Sequence, residues 1–274
     1  MKTIIIPTDF SNVATNAMNY GLDMAIDIKA DVLLFHVYNV PVSMTEVPVM
    51  LISVDELQKN AEEQMASLKK KVEHIVSGKI KIDTLTRLGD TVDELEALCK
   101  RVQPFAVIMG SRGASGIEAL FGSTTLTAIR HLTSPVISVP RGKEYGLGIK
   151  KIGFACDFRD IADTLPQAVI IEVVKQFNAE FHVLSVSYNP KQFDKGSGEY
   201  VLLKTMLREL NPLYEFIQNE DVEEGINEFA EKNNLDLVIT IPKKHKLLEG
   251  IFNKSSTRKL VFHSHIPVMC IHEY

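Results

Sequence analysis

Short apolar runs alternate with longer amphipathic segments along the first half of the chain. Residues 3–6 form an apolar run typical of a buried strand, and apolar residues recur with the helical period across 14–28. Ser11 is predicted to cap the N-terminus of this helix. The same alternation predicts further strands at 31–38, 79–87, 105–109 and 135–139. It predicts further helices at 54–75, 91–102 and 120–132. Strands that alternate with helices predict a parallel sheet with helices on both faces.

The pattern restarts near Lys151, which indicates an internal repeat. Asp157 follows a strand-like segment as Asp9 does, at an offset of 148 residues, whereas later segments repeat at an offset of 132. The second copy is therefore shorter by 16 residues, and its long second helix is the simplest place for the loss.

The repeat predicts two α/β domains, 1–141 and 149–274, joined by a linker with three glycines at 141–148. We expect each domain to be a doubly wound, Rossmann-like parallel sheet of five strands. The last strand of each domain lies at a sheet edge, where unpaired backbone groups invite another strand. The two domains are therefore predicted to pair through 136–139 and 268–271. A homodimer would then need another surface, which the sequence does not identify.

Glycines and hydroxyl residues follow the strand at 105–109. Gly110 and Gly113 come directly after it, and Gly122, Ser123 and Thr124 precede or open the next helix. Backbone amides freed by glycine, together with a helix N-terminus, make a cradle for phosphate. Glycines also simply end strands, so the pattern alone leaves both interpretations open.

In an open α/β sheet, ligands bind at the carboxyl ends of the strands, near the point where the strand order reverses. This rule places Asp9, the end of the second strand near Val37, and the Gly110 loop around one crevice. An aspartate after a strand also suits a turn, so Asp9 has a structural alternative to ligand binding.

Composition narrows the classes of protein. With 274 residues and 45% apolar residues, the chain can bury a sizeable core, and its net charge of -5 argues against a general nucleic-acid binder. No apolar run approaches the ~20 residues of a membrane span, so no membrane partner is expected. The three cysteines lie in apolar runs without metal or disulfide spacing, which favours buried free thiols and a cytoplasmic location.

At this point the sequence resembles the universal stress protein family, in a tandem form. The segments that carry the resemblance are Ile5 to Ser11, Leu34 to Val37, Val107 to Gly113, Gly122-Ser123 and Ser134 to Val136. The resemblance implies an adenine nucleotide alpha hydrolase-like fold, a role in the stress response, and binding of ATP, with Mg²⁺, through a G-x2-G-x9-G-(S/T) pattern. Here eight residues, not nine, separate Gly113 from Gly122.

The resemblance also implies roles for individual residues of the first domain. Asp9, with Pro7 and Thr8 before it, would reach the ribose or adenine. The backbone of Val37 would contact adenine, and Met109 would pack beside the base. The phosphates would be held by one further group of residues, namely Gly110, Arg112, Gly113, Gly122, Ser123 and Thr124.

The second domain departs from this pattern. Ile241 and Lys244 stand where Gly110 and Gly113 do, and Lys254 replaces Gly122. Bulky residues cannot form the same main-chain cradle, so the second site is predicted to be degenerate. A nearby cluster of late histidines contains no carboxylate or cysteine that would complete a metal site.

Three functions compete at this stage. The first is a stress-response regulatory protein that binds ATP or a related adenine nucleotide in its first domain and is not an enzyme, apart from slow hydrolysis. The second is an interaction module without nucleotide, which the one-residue-short loop favours. The third is an adenine-nucleotide-using enzyme such as an adenylyl-transferring ligase, but residues 8–16 contain no histidine for its H-x-G-H signature, and no catalytic set is predicted.

Overall fold

The computed structural model describes residues 1–40, 53–111, 123–158, 161–188, 196–242, 260–261 and 263–272. Its strands are β1 (Thr3–Pro7), β2 (Asp31–Tyr38), β3 (Ile82–Leu88), β4 (Ala106–Ser111), β5 (Val136–Pro140), β6 (Lys151–Ala155), β7 (Glu180–Ser187), β8 (Leu213–Gln218), β9 (Leu237–Thr240) and β10 (Val268–Cys270). Its helices are α1 (Asn12–Ile28), α2 (Val54–Val76), α3 (Thr91–Val102), α4 (Ser123–His131), α5 (Ile161–Thr164), α6 (Gln167–Phe177), α7 (Gly198–Leu207) and α8 (Val222–Lys232).

The strands form one ten-stranded sheet in the order β3-β2-β1-β4-β5-β10-β9-β6-β7-β8. Each half repeats the same five-stranded order, and every neighbouring pair within a half is parallel. The predicted α/β, doubly wound fold is therefore confirmed. The expectation of two sheets needs one refinement, because the two five-stranded halves join through an antiparallel pair, β5 and β10.

Two apolar cores lie on opposite faces of the sheet. Helices α1, α2, α6 and α7 cover one face, and the core beneath them contains residues of both halves, such as Ile137 and Met269. Helices α3, α4 and α8 cover the other face. A sheet that is buried on both faces explains why its central strands are continuous apolar runs instead of alternating ones.

Most of the shortening of the second half falls on its second helix, as the repeat offsets indicate. Helix α2 has 23 residues, whereas its counterpart α7 has 10 residues and is followed by one turn of 3-10 helix, Arg208–Leu210. The predicted domain bounds of 1–141 and 149–274 remain a prediction.

The segment between the halves packs against the first helix. Tyr145 is buried, its hydroxyl donates to Asp27 Oδ2 at 2.7 Å, and its ring meets the ring of Tyr20 edge-on at 5.2 Å. Burial, followed by the hydrogen bond to Asp27, raises the pKa of Tyr145 well above its usual range. Across the halves, Lys2 Nζ lies 2.9 Å from Glu172 Oε1. That the two halves behave as one cooperative unit in solution remains a prediction.

The three cysteines, Cys99, Cys156 and Cys270, are free and buried, as expected from their apolar surroundings. Burial raises the pKa of Cys99 to about 11 and that of Cys270 further. Within the described ranges no helix is long and apolar enough to cross a membrane.

We expect the native thiols to resist modification. Because the thiolate is the reactive form, burial that raises the pKa of Cys99 to about 11 should slow its reaction with a disulfide reagent at neutral pH by roughly 100-fold relative to the unfolded chain. Stopped-flow labelling in buffer and in denaturant measures both rates. Fast labelling of all three thiols in the native protein would contradict the buried placement.

Candidate functional site

A crevice that is open to solvent lies where β1 and β4 end, at the point where the strand order reverses. From β1 the chain crosses through α1 to β2 on one side, whereas β4 lies on the other side of β1. The first turns of α1 and α4 reach the same crevice. The described residues that line it are Pro7, Thr8, Asp9, Ser11, Val13, Ala14, Phe35, Val37, Thr91, Met109, Gly110, Thr124 and Thr125.

A tight turn carries the chain from β1 into α1 and holds Asp9 at the crevice. Asp9 Oδ1 accepts a hydrogen bond from Ser11 N at 3.0 Å, and Thr8 Oγ1 accepts one from Phe10 N at 3.0 Å. Ser11 then caps the helix, its Oγ accepting from Ala14 N at 3.2 Å. The turn interpretation of Asp9 is thus observed, and the same turn leaves the Asp9 side chain exposed on the crevice wall.

The turn contains backbone strain that recurs in the repeat. Phe10 has φ = 61° and its counterpart Phe158 has φ = 54°, a left-handed conformation that costs a non-glycine residue roughly 1–2 kcal/mol. The Phe10 ring packs on His36 at 4.7 Å, and His36 Nδ1 donates to Thr8 O at 2.8 Å. Contacts from His36 of β2 therefore hold the strained turn after β1 in place.

The β4 end of the crevice is joined to α4 and α1 by short contacts. Thr125 is buried, and its Oγ1 donates to Gly110 O at 2.9 Å. A Cβ atom at Gly110 would lie 2.5 Å from Val13 Cγ1 and 2.8 Å from Val13 O. The structural reason for glycine at this position is therefore the close approach of α1 to β4, whereas the sequence suggested room for an anion.

Two of the three helix ends at the crevice carry no acidic residue in their first turns. These are the ends of α1 and α4, whereas α3, whose Thr91 also lines the crevice, has Asp93 and Glu94 there. An uncompensated helix N-terminus favours a negative ligand. Among the described lining residues, Asp9 is the one ionisable side chain, and the rest of the wall combines apolar groups with hydroxyls.

The structure brings most of the predicted site residues together. Those that line the crevice are Pro7, Thr8, Asp9, Val37, Met109, Gly110 and Thr124. Arg112, Gly113 and Gly122 lie outside the described residues. Ser123 is described as the first residue of α4, without its side chain.

Six lining residues escaped the sequence reasoning, which considered strand ends and the glycine loop. They are Ser11, Val13, Ala14, Phe35, Thr91 and Thr125. Two signals could have found several of them. Ser11 was recognised as a helix cap, and a helix that starts directly after Asp9 must bring its first turn to the same edge. Thr91 opens the helix after β3 in the same way.

The corresponding corner of the second half is built differently. The counterpart of the continuous α1 is split into α5 and α6, with Pro166 between them. Ile161 N, in the first turn of α5, donates to the carboxylate of Glu199 at 2.9 Å. Phe158 packs on Tyr200 and Phe216, at 5.6 and 5.9 Å between ring centroids. The backbone N–H that would bind an anionic ligand therefore already donates to a carboxylate of the protein itself.

The late histidines form no metal site within the part of the chain that the structure describes. His263 and His265 are exposed there, and His245 lies outside it. Lys244 and Lys254 of the predicted degenerate loop also lie outside the described residues.

Comparison with known proteins gives the family. The family described as the universal stress protein family matches residues 1–140 and again 148–272. Universal stress proteins MJ0531 and MJ0577 of Methanocaldococcus jannaschii are 28% and 27% identical to the chain over 147 and 154 residues. These matches cover 52% and 51% of this chain and 84% and 95% of those proteins.

Several solved structures resemble the whole chain. A universal stress protein from Archaeoglobus fulgidus aligns over 99% of this chain and 96% of its own, with a TM-score of 0.71 and 20% identity. At that identity the likeness concerns the fold. The double family match, by contrast, covers nearly all of the sequence, and the chain belongs to the universal stress protein family.

Proposed function

We propose that this protein is a regulatory member of the stress response whose first half binds ATP or a related adenine nucleotide, with Mg²⁺. The observation that carries the proposal is the crevice at the ends of β1 and β4, into which two helix N-termini without acidic first-turn residues project.

The walls of the crevice match the parts of a nucleotide. Phe35, Val37 and Met109 offer apolar surface to a base. The exposed Asp9 carboxylate offers acceptors to ribose hydroxyls, and the first turn of α4, with Thr124, offers donors to phosphates. Arg112, Gly113, Gly122 and Ser123 would complete the phosphate side in this proposal. Mg²⁺ would be held by phosphate oxygens, since Asp9 is the one carboxylate among the described lining residues.

The second half is proposed to lack this activity. Glu199 occupies a first-turn amide of α5, and a proline interrupts the helix that should present its N-terminus. Both features would disfavour the binding of an anion in the second half, at the position that corresponds to the crevice between α1 and β4 in the first half. The chain would then carry one nucleotide for two repeats.

Binding should raise the melting temperature of the protein. A ligand at ~100 times its dissociation constant that binds only the native state adds roughly 2.7 kcal/mol to the free energy of unfolding. Thermal unfolding with and without millimolar ATP and magnesium measures this. The absence of any shift, confirmed by equilibrium dialysis, would contradict the proposal.

A matched pair of variants locates the site. Asp9→Ala removes the crevice carboxylate. It is expected to lower the affinity for ATP at least ~10-fold, because hydrogen bonds to a charged group contribute about 1.5–3 kcal/mol. Asp157→Ala makes the same change one repeat later and should leave affinity unchanged. Equal losses in both variants would place the nucleotide elsewhere.

A further inference from the structure

Strand β3 forms one end of the ten-stranded sheet. It pairs with β2 on its inner side, and no other strand of the described residues lies against its outer side. Such an edge presents a row of backbone donors and acceptors to any extended segment of suitable sequence.

The hydrogen bonds identify which groups of β3 point outward. Val32 N donates to Lys81 O at 2.9 Å, and Gly89 N donates to Tyr38 O at 3.2 Å, so residues 81 and 89 point toward β2. Alternate residues of a strand direct their backbone N–H and C=O groups to the same side. The backbone groups of Thr84 and Thr86, like those of Ile82 and Leu88, therefore point away from β2. The outward carbonyl of Thr86 accepts a hydrogen bond from Arg87 Nη1 at 3.1 Å, which agrees with this assignment. A second strand added at this edge would replace Arg87 at this carbonyl.

The sequence of β3, Ile-Asp-Thr-Leu-Thr-Arg-Leu, is complementary to itself when one copy is reversed. In an antiparallel pair centred on Leu85, Asp83 of each copy lies opposite Arg87 of the other. Within one copy Asp83 Oδ2 lies 2.6 Å from Lys81 Nζ, so Lys81 and the second copy's Arg87 would share this carboxylate. The outward-pointing Thr84 lies opposite Thr86. Opposite charges and Thr–Thr pairs at directly opposed positions each stabilise a sheet by roughly 0.2–1 kcal/mol.

Neighbouring registers lack this match. A pair centred on Thr84 would place Lys81 opposite Arg87, two like charges, which destabilise a sheet when directly opposed. A pair centred on Thr86 would place Leu85 opposite Arg87 and Asp83 opposite Gly89. The centre at Leu85 therefore has the best charge complementarity of the three.

We infer that β3 is a dimerisation edge, at which a second copy of this chain adds its own β3 antiparallel, with the twofold axis between the two Leu85 side chains. The contact is isologous, so each Asp83–Arg87 pair forms twice and the assembly closes as a dimer. Leu85 is half-buried in the single chain and packs at the margin of the apolar core beneath α3, α4 and α8. The second copy would cover its remaining exposed surface.

The opposite edge of the sheet does not share this property. Strand β8 contains no lysine or arginine, and its Glu215 faces His182, with Oε1 3.4 Å from Nδ1. A symmetric pair of β8 strands would place Glu215 opposite itself or opposite an uncharged residue of that strand. The complementarity is therefore specific to β3, and β8 provides the control surface.

Sedimentation velocity of the full-length protein over a concentration series tests the inference. We expect a reversible dimer in the unmodified protein and at least a tenfold weaker association in Arg87→Asp, which would place two aspartates opposite each other. Arg208→Asp, the same change at an exposed residue five positions before β8 in the sequence, should leave association unchanged. Circular dichroism verifies that each variant is folded.

Mixing two variants tests the register. Asp83→Arg and Arg87→Asp should each be monomeric alone, whereas their equimolar mixture should form a heterodimer, because every opposed charge pair is restored across the interface. The double variant D83R/R87D should dimerise like the unmodified protein. A protein that stays monomeric up to about 1 mM, a dimer insensitive to Arg87→Asp, or a mixture that fails to associate would each overturn the inference.

Discussion

Gly110→Ala is expected to lower the free energy of unfolding by about 1–3 kcal/mol, the usual cost of an extra methyl group in a packed site. The added Cβ would lie 2.5 Å from Val13 Cγ1 and 2.8 Å from Val13 O. Since the second of these atoms belongs to the backbone, a rotamer change at Val13 cannot relieve the contact. Helix α1 must shift, and its first turn is the wall of the crevice. ATP affinity should fall with stability.

Denaturant titration measures this change, and Gly198→Ala is the matched control. A Cβ at Gly198 meets nothing within 4 Å, and alanine in a helix should leave stability unchanged or raise it by up to about 1 kcal/mol. Val13→Ala in the Gly110→Ala background should restore part of the loss by removing the Cγ1 contact. If Gly110→Ala instead abolished ATP binding at unchanged stability, the glycine would serve the phosphate and not the helix.

Local signals made much of the fold predictable from the sequence. Ser11 caps α1 as predicted, because a cap depends on residues within one turn. The alternation of apolar strands and amphipathic helices gave the right order of elements through β5, with ends displaced by a few residues. The strand ends at Asp9, Val37 and Met109 converge because parallel strands bring their carboxyl ends to one edge.

Long-range contacts were not predictable in this way. The reason for glycine at position 110 depends on Val13, which is distant in sequence and is placed by packing of α1 against β4. Thr125 likewise lies at the crevice wall in the first turn of α4, where its Oγ1 donates to Gly110 O of β4. No local sequence pattern identifies Val13 or Thr125 as part of the crevice.

The second half departs from the first where α1 has its counterpart. Pro166 removes a backbone donor, and the helix is divided into α5 and α6. Glu199 then caps Ile161 N from a neighbouring helix. The sequence showed the lost glycines at Ile241 and Lys244, but it gave no sign of this replacement carboxylate.

Met269→Ala is expected to lower the free energy of unfolding by about 2–5 kcal/mol, the range for truncating a buried methionine. Met269 is fully buried, and it lies between Ile137 of β5 and Ile239 of β9, so it touches the junction of the two halves. Leu147→Ala removes a comparable apolar side chain that is 95% exposed, and it should change stability by less than about 0.5 kcal/mol.

Hydrogen exchange of the Met269→Ala variant distinguishes one cooperative unit from two independent halves. The apolar core beneath α1, α2, α6 and α7 continues across β5 and β10. The substitution should therefore speed amide exchange in β1 and β4 as well as in β6 and β9. Ile137→Ala, at the directly opposed position, should couple to it by roughly 0.5–3 kcal/mol in a double-mutant cycle. Exchange that speeds up only in the second half, with additive substitutions, would show that the halves fold separately and that the strand pairing does not join them.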